Sequence, residues 1–62
     1  MNNNRSITEH GIADIEISDH TLGDSETHVI DIYLYNAHGE RVNQIILFGI
    51  DSEKIKIILN GE

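Results

Sequence analysis

Cysteine, proline and tryptophan are all absent from this 62-residue chain. Without cysteine there is no disulfide and no thiolate metal site. Without proline there is no rigid linker and no native cis-proline turn. Positive charge is scarce: four Lys and Arg stand against eleven Asp and Glu, a net charge of −7. A chain so acidic repels a phosphate backbone and an anionic bilayer alike, so neither direct nucleic-acid binding nor membrane binding is expected. The longest apolar runs, IILF and IIL, fall far short of the ~20 residues of a membrane-spanning helix. Met1–Ser6 lacks the apolar stretch of a secretion signal, and the expected setting is the cytoplasm.

What the chain does have is isoleucine. Twelve Ile, four Leu and two Val stand beside Tyr33, Tyr35 and Phe48. β-Branched side chains favour strands over helices. A domain of this length buries only about 60% of its unfolded surface, so without staples it depends on packing or on a partner.

Periodicity predicts an all-β fold, a four-stranded antiparallel meander with strands near 12–18, 28–35, 40–49 and 54–59. Met1–Ser6, Asn-rich and polar, is expected to be a flexible N-terminus, and 7–62 a single small β domain. In the first strand Ala13, Ile15 and Ile17 alternate with Asp14, Glu16 and Ser18, the period of a half-buried strand. Ile12 is out of phase. In the second, Ile30, Ile32 and Leu34 share one face, and Val29, Asp31, Tyr33 and Tyr35 the other. In the third, Val42, Gln44, Ile46 and Phe48 oppose Asn43, Ile45 and Leu47. The run IILF, apolar on both faces, suits a central strand covered on both sides.

Asn36-Ala37-His38-Gly39 joins the second and third strands as a tight hairpin turn with a bulge. Asp19–Thr27 is expected to be a nine-residue loop pinned to the core by Leu22. The C-terminal segment has two readings. As a strand, Ile55, Ile57 and Leu59 line one face. As a helix over 52–60 packed on a three-stranded sheet, it would have Asp51 as N-cap and Gly61 just past its end. Alternation and propensity together favour the strand.

No catalytic motif is present. The serines lie in no nucleophile elbow, the five glycines are isolated rather than grouped in a phosphate loop, and a thin sheet has little room for a pocket. The chain is therefore read as non-enzymatic, with no cofactor. His10, His20, His28 and His38 form no short ligand pair. The weak metal candidates are His20 and His28, facing each other across the long loop. Asp31 stands out as a carboxylate among apolar neighbours, suited to an edge, to a wet face or to an interface.

Seven of the eleven acids fall between Ser6 and Asp31, where there is no Lys or Arg. That asymmetry predicts a surface for a protein partner with a basic face, carried by Glu9, Asp14, Glu16, Asp19, Asp24 and Glu26. A short sheet with one uncovered apolar face further predicts a homodimer, with Tyr33, Tyr35, Ile46 and Phe48 as the self-association residues. The functional expectation is a small acidic interaction module acting through its acidic surface or a strand edge. One form of it is an inhibitor or regulator of a nucleic-acid-handling protein of the phage or mobile-element type, with carboxylates standing in for phosphates. The alternatives are a histidine-based metal-binding module and an accessory subunit of a larger assembly.

Overall fold

Alternation and turn chemistry produce three antiparallel strands in the computed structural model, which describes residues 5–24 and 26–61. Strand β1 spans Ile12–Leu22, β2 Thr27–Asn36 and β3 Arg41–Asp51, in the spatial order β1-β2-β3. Residues 1–4 of the expected N-terminal segment lie outside the described residues, and Arg5 and Ser6 belong to neither strand nor helix.

The β2–β3 turn forms as its residues require. Gly39 sits at φ 80°, a left-handed conformation that glycine adopts without steric cost. Its amide donates to the Asn36 carbonyl at 3.1 Å, and the Asn36 amide donates to the Glu40 carbonyl at 3.0 Å. The Asn36 side-chain oxygen accepts from the amides of His38 and Glu40 at 2.9 and 3.0 Å, the local bonding that makes Asn a turn residue. A register shift between Leu34 and Tyr35 marks the bulge. A second shift, between Ile12 and Asp14, explains why Ile12 is out of phase: an extra residue in one strand resets the alternation.

The expected nine-residue loop is much shorter. β1 continues through Asp19-His20-Thr21-Leu22, pairing with Ile30 to Thr27. The stretch reads as loop because Asp19 and His20 are polar and Asp is depleted in strands, but ladder bonds to β2 outweigh that weak preference. The turn closes where the Glu26 amide meets the Leu22 carbonyl at 2.9 Å. Leu22 is a strand residue, 40% exposed, and not a plug.

The centre of the sheet is β2, not the IILF run. Val29 and Ile30, each 2% exposed, point to opposite faces and form the core, and β3 is an edge strand with Phe48 65% exposed. Pairing places Asp14, Glu16, Ser18, His20, Val29, Asp31, Tyr33, Tyr35, Gln44, Ile46 and Phe48 on one face, here the polar face. The apolar face carries Ile15, Ile17, Ile30, Ile32, Leu34, Ile45 and Leu47.

Residues 53–61 form neither the expected fourth strand nor the alternative helix. A turn redirects the chain first: Ser52 adopts φ 63°, its amide meets the Glu26 carbonyl, and the Glu53 amide meets the Ile50 carbonyl. The chain then passes over the apolar face, where the next amide bonds a side chain rather than a neighbouring strand.

Candidate functional site

Three features define the surface: a latch that holds the C-terminal segment, a polar face whose groups are mutually engaged, and the free edge of β1.

The latch is built on His28. Its side chain is 8% exposed and projects from the second residue of β2 onto the apolar face. The ring's Nδ1 accepts the Ile55 amide at 2.9 Å, and its Nε2 lies 2.9 Å from Asp19 Oδ2. A neutral imidazole has one donor and one acceptor. With Nδ1 accepting, Nε2 carries the proton and donates to Asp19. One ring thus ties β1 to the C-terminal segment. Beside it Ile55 lies on Gly49, and any side chain there would collide with it: a Cβ at Gly49 would sit 2.8 Å from Ile55 Cγ1. The hydrogen bond from His28 is the main reason Asp19 titrates below its usual 3.8, with the charge of Lys54 acting in the same direction. At the same end of the sheet the Thr27 hydroxyl donates to Asp51 at 2.5 Å. No buried side-chain polar atom among the described residues lacks a partner.

The polar face holds the four residues expected to drive self-association, but two of them are already engaged. Tyr35 donates to Glu16 at 2.9 Å, and the Arg41 guanidinium lies 4.3 Å from the Tyr33 ring centre. Ile46 and Phe48 remain exposed at 52% and 65%. Asp31, on the central strand and so not an edge residue, lies 3.7 Å from His20 Nδ1. His20 and His28 project from opposite faces, since His20 pairs with Val29 and His28 with Thr21, adjacent rungs of one ladder. They therefore do not converge on one ion. Among the described residues no group of three or more His, Asp or Glu is placed to hold a metal.

The six acids proposed for a partner do not share one face. Asp14 and Glu16 lie on the polar face, Asp19 on the apolar face, and Asp24 and Glu26 in the turn that ends β1. Glu9 precedes β1 and accepts from Asn43 of β3 at 2.8 Å. What unites Asp14, Glu16 and Asp19 is β1 itself. It is an edge strand, exposed at every residue after Ile12, and it has no Lys or Arg. An edge presents unpaired backbone groups that can accept a further strand.

Sequence reasoning missed the latch. Its members are separated by up to 36 residues, and only the solitary Gly49 inside a strand pattern hinted at close approach of another segment. Comparison with protein-family models, curated proteins and solved structures returned no match. No helix among the described residues is long and apolar enough to cross a membrane.

Proposed function

We propose that the protein is a small non-enzymatic interaction module of the cytoplasm that docks a basic protein partner along the free edge of β1. The observation that carries this reading is the edge itself: exposed, unpaired among the described residues, and bearing Asp14, Glu16 and Asp19 with no Lys or Arg of its own. Main-chain bonds to a docked strand would supply affinity, and the alternating side chains would supply specificity. Two acidic edges repel each other, so β1 selects against a second β1 and for a strand that carries Lys or Arg. A partner that normally grips a phosphate backbone offers such cations. An inhibitor or regulator of a nucleic-acid-handling protein is the biological form this reading takes.

The probe is a short peptide of alternating lysine and valine, titrated into the protein while backbone amide NMR signals are followed. Shifts are expected along 12–22 and are expected to weaken as salt rises. Reversal of Asp14, Glu16 and Asp24 to Lys should abolish them. This set spares Asp19, which holds His28. Undiminished binding by the reversed variant would refute the reading.

A further inference from the structure

The C-terminal segment has the alternation of a strand and pairs with nothing among the described residues. Beyond the latch it leaves Ile57, Ile58 and Leu59 at 60%, 73% and 96% exposure. Three consecutive apolar side chains in water, on a segment with high strand propensity, are an unfilled half of a contact. The other unfilled half is the edge of β1, where Ile15 and Ile17 are 62% and 47% exposed on the apolar face, opposite Asp14 and Glu16.

The two halves match on the apolar face, and on the other face Lys56 matches the carboxylates. A strand over Lys56–Asn60 puts Ile57 and Leu59 on one side and Lys56, Ile58 and Asn60 on the other. Set beside β1 with Ile57 and Leu59 next to Ile15 and Ile17, it places Lys56 among the carboxylates of Asp14 and Glu16. Ile58 is the one apolar side chain left on the carboxylate face, whereas a one-residue slip would put both Ile57 and Leu59 there and Lys56 on the apolar face, so the pattern favours the register with Lys56 among the carboxylates.

The segment cannot fill its own β1 edge to this extent. The latch holds Ile55 over β2 and β3, by its amide on His28 and its side chain on Gly49. The far side of β1 is two strand spacings from β2, about 10 Å. At about 3.3 Å per residue, some three residues are used in reaching it, so Lys56 and Ile57 cannot pair there. A second copy is under no such restriction. Building on the reading of β1 as a docking edge, we infer that the basic strand it accepts is supplied by residues 56–60 of a second copy. The exchange is reciprocal about a two-fold axis, which closes the assembly as a dimer.

Sedimentation equilibrium over a concentration series reads the mass. The full chain is expected at twice 7.0 kDa, and the variant Ile57→Asp/Leu59→Asp, altered only at exposed positions, at the monomer mass. Lys56→Glu should weaken the dimer about fivefold, the order of one favourable cross-strand pair, and adding Glu16→Lys in the same chain should restore it. In a mixture of labelled and unlabelled protein, contacts from Ile57 and Leu59 to Ile15 and Ile17 should appear between copies. A monomeric full chain, a dimer that survives Ile57→Asp/Leu59→Asp, or contacts confined within one chain would overturn the inference. Its failure is separable from that of the edge reading. The lysine–valine peptide, titrated into the Ile57→Asp/Leu59→Asp variant, still shifts 12–22 if only the exchange is wrong and shifts nothing there if the edge reading is wrong too.

Discussion

Replacing Gly49 with alanine adds one methyl group at the crossing of the C-terminal segment over β3. The new Cβ would lie 2.8 Å from Ile55 Cγ1, 3.2 Å from Ile55 Cδ1 and 3.2 Å from the His28 carbonyl oxygen. Carbon atoms settle at about 3.5–4.0 Å, so the closest contact is too short by about 0.7 Å or more. The His28 carbonyl belongs to β2 and is not free to retreat, so the segment carrying Ile55 has to lift. Forcing a methyl into a filled site costs about 1–3 kcal/mol. Alanine returns ~0.5–1 kcal/mol relative to glycine inside a strand. The net expectation is a loss of about 0.5–2 kcal/mol, which for a domain of this size is a melting-point fall of several degrees, at ~4–8 °C per kcal/mol. Urea denaturation measures it. The decisive comparison is the same substitution in an Ile55→Ala background. There Cγ1 and Cδ1 are gone, and the cost of Gly49→Ala should shrink to that of the 3.2 Å contact with the His28 carbonyl alone. An equal loss in both backgrounds would refute the placement of Ile55 on Gly49.

Three further outcomes follow from the same geometry. His28→Phe keeps a ring on the apolar face but removes both hydrogen bonds. It should cost about 1–3 kcal/mol, the price of a buried donor left unpaired, and should speed hydrogen exchange at the Ile55 amide well before the central amides of β2. Gly39→Ala forces a side chain into φ 80° and should cost about 1–2 kcal/mol, while Glu26→Gly relieves a residue held at φ 53° and should be stabilising or neutral by the same urea assay. Asp19 titrates below 3.8 in the folded protein, chiefly through its bond from His28. A carboxyl group whose folded value is depressed contributes stability above its unfolded value, and that contribution is lost as pH falls through the lower folded value. Asp19→Asn should therefore flatten the acid limb of the stability–pH curve below about pH 4.

The three strands were legible because each carries its own signal. Period-two alternation fixed the faces of β1, β2 and β3, and Asn36 and Gly39 fixed the turn between the last two. The length of β1 was not legible. Asp19, His20 and Thr21 have loop-like composition, and they are strand residues because of partners on β2: Asp19 bonds His28, and His20 faces Asp31. The C-terminal segment misled for the converse reason. KIKIIL has strand alternation, yet a turn at Ser52 and Glu53 carries it onto the apolar face, where His28 takes the amide of Ile55. Ladder pairing depends on which edge is within reach, and local composition does not record that. Among the candidate site residues, the acids of β1 could be read from the asymmetry of charge. Their union on one edge, with Asp19 on the opposite face from Asp14 and Glu16, required the sheet order.

Docking at the free edge of β1 is the central proposal. The most direct test maps where the lysine–valine peptide binds, by amide shifts in the Ile57→Asp/Leu59→Asp variant, whose edge has no competing strand from a second copy. Shifts confined to Ile12–Leu22, and lost on reversal of Asp14, Glu16 and Asp24 to Lys, are the predicted result. Shifts centred on Arg41–Asp51, or binding indifferent to the charge reversal, would contradict it.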